Sequence, residues 1–137
     1  MGESFRITLR VRYSECDPQG VVFNAHYLMY FDLAMTELWR ELGGYQAMVD
    51  SGVDMVVGEA TVRYLAPLRF DDEFEVVARV VRLGDTSMTT ELVIESGGEP
   101  AAEGELRHVF VDSGGGPKAP IPEVIRSGLA RYEVQPA

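Results

Sequence analysis

The sequence predicts an α+β fold: one antiparallel sheet of about five strands wrapped on a single long helix. Three observations carry that expectation. A stretch of helical period runs from Ala25 to Leu42, a run of period two precedes it, and four more runs of period two follow it. In the helix, Leu28, Phe31, Met35, Leu38 and Leu42 recur at three and four. Met29, Leu33, Ala34 and Trp39 extend the apolar surface around most of the circumference, so burial on nearly all sides is expected. At ~1.5 Å per residue the helix is ~27 Å long. Gly43-Gly44 is the expected stop, because glycine takes the left-handed turn past a helix end without a Cβ clash.

The remaining elements follow in chain order. Phe5, Ile7, Leu9, Val11 and Tyr13 alternate with Arg6, Thr8, Arg10 and Arg12, which predicts a strand with one buried and one basic face. Asp17-Pro18-Gln19-Gly20 fits a type I turn with Asp first, Pro second and Gly last. Asn24 is the expected helix N-cap. After a short link over Gly43 to Gly52, Val53 to Leu65 reads as a long strand with Val56, Gly58, Ala60, Val62 and Tyr64 on one face. Gly58 and Ala60 are small where a helix could press close to the sheet. Pro67 breaks this strand, and Arg69 with Asp71-Asp72 makes a polar corner. Three further inward faces read Phe74-Val76-Ala78-Val80, Met88-Thr90-Leu92-Ile94 and Ala102-Gly104-Leu106-His108-Phe110. Ser96-Gly97-Gly98-Glu99 is a hairpin signal, and Pro122 opens a short final helix ending near Tyr132. The four strands after the helix are expected to form a meander. A sheet covered by one helix keeps an open edge and face, so pairing with a second copy is expected.

Composition bounds what such a domain can do. The 137 residues are 46% hydrophobic and suffice for one domain over 1–137. No apolar run approaches the ~18 residues of a membrane span, so a cytoplasmic protein without membrane insertion is expected. The lone Cys16 has no internal disulfide partner, in keeping with a reducing compartment. Twelve Lys and Arg against 22 Asp and Glu leave a net charge of −10, which argues against nucleic acid as a partner.

Asp17 is the leading candidate for chemistry, and two readings of it stand side by side. Aspartate opens type I turns by bonding its own backbone, a purely structural role. Alternatively, its loop delivers a carboxylate to the free N–H groups of the helix start, around Phe23, Asn24, Ala25 and His26. Those donors and the helix dipole stabilise charge on an acyl oxygen, and a carboxylate beside them is minimal equipment for attack on an activated acyl group. His26 reads by default as a capping or packing residue, and His108 as a satisfied core histidine. Cys16 has no readable base or orienter nearby. Two His and one Cys are scattered, so no metal site is expected.

At these residues the chain resembles the hotdog-fold acyl-CoA thioesterases, the 4-hydroxybenzoyl-CoA thioesterase branch above all. The carriers are Tyr13-x-Glu15-Cys16-Asp17-Pro18-x-Gly20-Val21-Val22-Phe23, then Asn24-x-x-Tyr27. Tyr64-Leu65-x-Pro67-Leu68-Arg69-x-Asp71-Asp72 and Pro120-Ile121-Pro122 also match. The resemblance implies a hotdog fold and hydrolysis of an acyl-CoA to free acid and CoA. Asp17 would act as nucleophile or as base for water, and a backbone N–H at Asn24 would polarise the thioester carbonyl. It implies a homodimer or homotetramer, with substrate entering between subunits, and no cofactor beyond the CoA of the substrate. Arg63, Arg69, Lys118 and Arg126 are the candidates for the CoA phosphates. A related bacterial branch has His at the Asn24 position, and His26, two places on, does not replace it. Two other readings stay open: a hotdog hydratase or dehydratase, which would want a His paired with a carboxylate, and a non-catalytic acyl-CoA-binding module.

Overall fold

The computed structural model describes residues 2–134. Strand β1 (Phe5–Arg10) leads through a 3-10 turn at Tyr13–Glu15 and a loop into helix α1 (His26–Glu41). A short helix α2 (Tyr45–Asp50) precedes β2 (Val53–Tyr64), β3 (Glu73–Leu83), β4 (Ser87–Ser96) and β5 (Glu99–Asp112), and α3 (Glu123–Ala130) follows. The five strands form one sheet in the order β1-β3-β4-β5-β2, and every neighbouring pair is antiparallel. The sheet curls around α1. No helix among the described residues is long and apolar enough to cross a membrane.

Period two sets the concave face. Phe74, Val76, Ala78 and Val80 of β3 are buried with Met88, Thr90, Leu92 and Ile94 of β4, and with Ala102, Leu106, His108 and Phe110 of β5. These cover Tyr27, Tyr30, Phe31, Ala34, Met35, Leu38 and Trp39 of α1. Positive φ at Gly43 and Gly44 ends α1, as expected. The hairpin at Ser96–Glu99 turns through Gly97 and Gly98, both with positive φ. On the convex face the arginines of β1 meet acids across the strands: Arg6 with Glu75 at 3.3 Å and Arg10 with Glu73 at 3.2 Å.

Several expectations are corrected. The meander has three strands, β3-β4-β5, because β2 pairs with β5 at the far edge and not with β3. Pro67 and the loop after it carry the chain back across the sheet, and Val22 N–H donates to Leu68 O at 2.8 Å on the way. The expected inward parity of β2 holds only beyond a bulge between Val57 and Glu59. Before it Met55 lies opposite Phe110 and Val57 opposite His108; after it Ala60 lies opposite Leu106 and Val62 opposite Gly104. One extra residue exchanges the faces of a strand, so odd positions face inward first and even ones later. Gly58 and Ala60 are exposed and do not receive the helix. Strand β1 stops at Arg10, and Tyr13 is turned out, 80% exposed. Leu28 and Leu33 of α1 are also exposed, since one sheet does not enclose the helix completely.

The close approach is at Gly104 of β5. A Cβ built there would lie 2.9 Å from the Phe31 ring and collide with the carbonyl oxygen of Thr61 on β2. Neither neighbour moves without shifting a strand or the central helix. Gly104→Ala is therefore expected to destabilise the protein by ~1–3 kcal/mol, the scale of core overpacking, in chemical denaturation. A loss below ~0.5 kcal/mol, within the range of surface substitutions, would show that α1 does not press on β5 at this point.

Candidate functional site

The loop before α1 is built by hydrogen bonds within itself. Cys16 pairs with Val22 as an isolated bridge, and Asp17 N–H donates to Val21 O at 2.9 Å. Gly20 N–H donates to Asp17 O at 2.9 Å, closing the expected turn, with Gly20 at φ +79. Asp17 Oδ1 accepts the Gln19 N–H at 2.8 Å, so the structural role of this carboxylate is present. One oxygen is thus held by the turn, while no hydrogen bond to another described residue holds Oδ2.

The turn hands over to the helix start. Of the four amides expected there, Phe23 N–H donates to Glu15 O at 2.9 Å and His26 N–H to Phe23 O at 2.9 Å. Among the described residues, the N–H groups of Asn24 and Ala25 have no such acceptor, so the free donors narrow to two. The expectation that Asn24 caps the helix is corrected. The capping position is Ala25, which makes no side-chain capping hydrogen bond. The Asn24 carbonyl is engaged instead, by Tyr27 N–H at 3.3 Å and by the Tyr64 hydroxyl at 3.0 Å. An apolar groove of about 290 Å³ opens here, lined by Val22, Asn24, Tyr27, Tyr64 and Pro67 among others. His26 packs edge-on against Phe23 and lies outside this lining.

Glu15 holds the loop to the helix, a role that sequence reasoning missed although Glu15 stood inside the motif. Only 4% exposed, its carboxylate accepts Arg12 N–H at 2.9 Å, Arg12 Nε at 3.0 Å and the Tyr30 hydroxyl at 2.8 Å. Burial pushes this carboxyl up, but the Arg12 amide, the Tyr30 hydroxyl and the Arg12 guanidinium outweigh it and hold it below the usual range. The same neighbourhood raises the Tyr30 hydroxyl, through burial first, the hydrogen bond to Glu15 second and the Glu15 charge third. A usable signal was present: an acid three residues after Arg12, with Tyr27 and Tyr30 on one helix face. Tyr30→Phe removes one donor from a buried charge and is expected to cost ~1.5–3 kcal/mol in chemical denaturation.

The four basic candidates do not meet within one chain. Arg63 pairs with Glu103 at 3.2 Å, and Arg69, joined to Val21 by a backbone bridge, stands beside the Asp17 loop. Lys118, bridged to Val111, and Arg126, which donates to Gly84 O at 2.6 Å, lie at the opposite end of the strands. Cys16 Sγ lies 3.8 Å from Arg12 O. No group of three or more His, Cys, Asp or Glu among the described residues could hold a metal ion.

A second cavity, of about 450 Å³, lies between the later turns of α1 and the inner side of β2 and β5. Trp39, Met55 and Val57 supply apolar wall, and Asp32, Thr36 and His108 polar wall. His108 is 4% exposed, and its Nδ1 has no hydrogen-bond partner among the described residues, which corrects the expectation of a satisfied core histidine. Burial pushes the imidazole down to about 4 from 6.5, against the pull of the Asp32 carboxylate. The unfolded chain then binds a proton that the folded chain refuses, so stability falls as pH drops from 6.5 toward about 4. His108→Leu is expected to flatten that slope by up to ~1.4 kcal/mol per pH unit between pH 6.5 and 4.5. Urea midpoints of both proteins over that window measure it, and parallel curves would refute it.

A five-stranded antiparallel sheet curled on one central helix, with a polar loop at the helix start, is the hotdog fold, and solved hotdog thioesterases superpose on it. The thioesterase-like superfamily model matches residues 11–129. The chain belongs to that superfamily, and its enzyme class is hydrolase. It is 34% identical over 110 residues to the acyl-CoA thioester hydrolase YbgC of Escherichia coli, covering 79% of this chain and 82% of the relative. A solved hypothetical protein from Aquifex aeolicus superposes with TM-score 0.86 at 30% identity, over 91% of this chain and 98% of that one. A thioesterase from Thermus thermophilus, solved with coenzyme A and zinc, superposes with TM-score 0.81 at 34% identity, over 96% of this chain and 95% of that one.

Proposed function

We propose that this protein hydrolyses the thioester of an acyl-CoA, with Asp17 as the reacting carboxylate and the Asn24 and Ala25 amides as oxyanion donors. The observation that carries the reading is the loop from Asp17 to Ala25, which among the described residues starts at a carboxylate with one oxygen unengaged and ends at two amides without acceptors. The likeness to YbgC and to a thioesterase solved with coenzyme A supports acyl-CoA as the substrate.

Two routes use these groups. As nucleophile, Asp17 attacks the thioester carbonyl, the C–S bond breaks, CoA leaves as thiolate, and water hydrolyses the resulting anhydride. As base, Asp17 takes a proton from water, the hydroxide adds to the carbonyl, and the collapsing tetrahedral intermediate expels the thiolate. In both, charge gathers on the former carbonyl oxygen, where backbone donors at a helix start act without reorganising. The Tyr64 hydroxyl, bonded to Asn24 O, positions that helix start from the edge strand.

A second copy completes the proposal. Strand β2 ends the sheet with Val56 and Val57 about half exposed, and Leu28 and Leu33 of α1 are exposed. Pairing of two chains along this edge would cover them and make a cleft for the pantetheine arm, in a homodimer or homotetramer. It would also offer the CoA phosphates Arg69 and Lys118, the two basic candidates whose side chains are not engaged by other described residues, from opposite ends of the strands. The same reading places the protein in the cytoplasm, where acyl-CoA and a free Cys16 are both at home.

Asp17→Asn keeps an oxygen for the Gln19 amide and loses the charge. A loss of kcat of at least ~10²-fold on an acyl-CoA panel is expected with the fold intact. Near-normal turnover by folded Asp17→Asn would remove the proposal, and binding without turnover by wild type would favour an acyl-CoA-binding module. Asn24→Ala leaves the backbone donor and no side-chain cap is lost, so stability within ~0.5 kcal/mol and turnover within a few-fold are expected. Asn24→Pro deletes the N–H, and a fall of ~10²-fold is expected, checked together with its structure. Sedimentation at nanomolar concentration tests the assembly; a fully active monomer would defeat it.

A further inference from the structure

We propose that Tyr64 is a positioning residue for the reaction: its hydroxyl, reaching in from the edge strand, fixes and polarises the peptide that presents the Ala25 amide, and steadies the Asn24 amide beside it. This rests on the acyl-CoA hydrolase reading, which needs oxyanion donors but does not say what holds them in place.

The two free donors sit on consecutive peptides, and each peptide carries a carbonyl at its other end. The Phe23 carbonyl accepts His26 N–H at 2.9 Å, a bond within the helix start itself. The Asn24 carbonyl accepts Tyr27 N–H at the longer distance of 3.3 Å, and the Tyr64 hydroxyl at 3.0 Å. Among the described residues, Tyr64 is the one side chain that bonds either carbonyl. Ala25, at the capping position, supplies no side-chain bond of its own, and helix ends fray. The tie from Tyr64 spans 40 residues, from the end of β2 to the start of α1.

Peptide geometry makes this hydroxyl matter. A trans peptide is planar, with its C=O and N–H directed to opposite sides. Holding the Asn24 oxygen therefore aims the Ala25 hydrogen. It also limits the swing of the Asn24 amide, which shares a Cα with that peptide. On its other side, Phe23 N–H is held by Glu15 O at 2.9 Å. A hydrogen bond accepted at one end of a peptide strengthens the donor at the other, by ~10–30% per bond. The hydroxyl is itself well placed, because the Tyr64 ring packs edge-on at 5.1 Å against the ring of Tyr27, which is buried in α1. Tyr64 is 52% exposed, so its hydroxyl bonds Asn24 O in competition with water. A tyrosine that needed only a satisfied hydroxyl would find it in solvent.

The test removes one oxygen. Tyr64→Phe keeps the ring on Tyr27, so a thermal midpoint within a few degrees of wild type is expected. On the acyl-CoA panel, kcat is expected to fall about three- to tenfold with KM unchanged within about twofold. That is well short of the ~10²-fold loss expected when a donor itself is removed. A hydroxyl with only a structural role would move neither constant in that pattern. The second readout is the thioester carbonyl, labelled with carbon-13 in the panel member of highest kcat/KM and bound to Asp17→Asn protein. In infrared difference spectra its stretch is expected below that of the free thioester, and adding Tyr64→Phe is expected to return it part of the way. A Tyr64→Phe protein with wild-type kcat, with a loss confined to KM, with an unmoved carbonyl band or with no stable fold overturns this inference and leaves the hydrolase reading standing. A wild type that turns over none of the panel, or a fully active Asp17→Asn, removes the hydrolase reading first and this inference with it.

Discussion

Helix α1 lies so close to the sheet that strand β5 has no room for a side chain at Gly104, where the Phe31 ring and the Thr61 carbonyl occupy the space. Much of the architecture depends on that approach. A helix apolar around most of its circumference is stable only if the sheet bends around it, and the bend needs twist and bulges. The bulge between Val57 and Glu59 supplies one, a second lies between Val80 and Arg82 of β3, and β2 with β1 becomes a rim. Two helix leucines that the sheet does not reach, Leu28 and Leu33, remain on the surface.

A buried carboxylate organises the end of the helix where the chemistry is proposed. Glu15 is tied to Arg12, which precedes it in the loop, and to Tyr30, one turn into α1 from Tyr27. Tyr27 in turn accepts Leu68 N–H at 3.3 Å and packs on Tyr64 at 5.1 Å. Loop, helix, edge strand and return loop are thereby held in one network. Removing a buried charge from such a network leaves its partners unsatisfied, so its members stabilise geometry more than any single bond would suggest. The two segments that carry the family resemblance, Tyr13 to Phe23 and Tyr64 to Asp72, are far apart in sequence and adjacent here through the Val21–Arg69 bridge and the Val22–Leu68 hydrogen bond.

The two cavities divide the helix between them. The groove at its start is walled by tyrosines and the backbone of the Asp17 loop. The cavity over its later turns is lined by Asp32 and by His108, whose buried Nδ1 has no partner among the described residues. Asp32 and His108 share that cavity without a hydrogen bond or ion pair between them, so the histidine–carboxylate pairing that a hydratase would want is not made there.

By itself the sequence determined the long central helix and its glycine stop, the inward faces of β3, β4 and β5, the hairpin at Gly97-Gly98 and the Asp17–Gly20 turn. All of these rest on repeats and turn chemistry within a few residues of one another, and such signals survive without knowledge of the partner strand. Only the tertiary structure decided that β2 crosses to the far edge, that its inward parity changes at Gly58, and that Gly104 is the glycine under the helix. It also decided that Glu15 is the buried anchor, that Asn24 gives up its carbonyl and not its side chain, and that His108 lies buried with no partner for Nδ1 among the described residues. The reason is physical: a period of two or 3.6 reports which residues share a face, whereas pairing, register and close approach depend on contacts between residues distant in sequence. One inserted residue is enough to exchange the faces of a strand, and nothing local announces it.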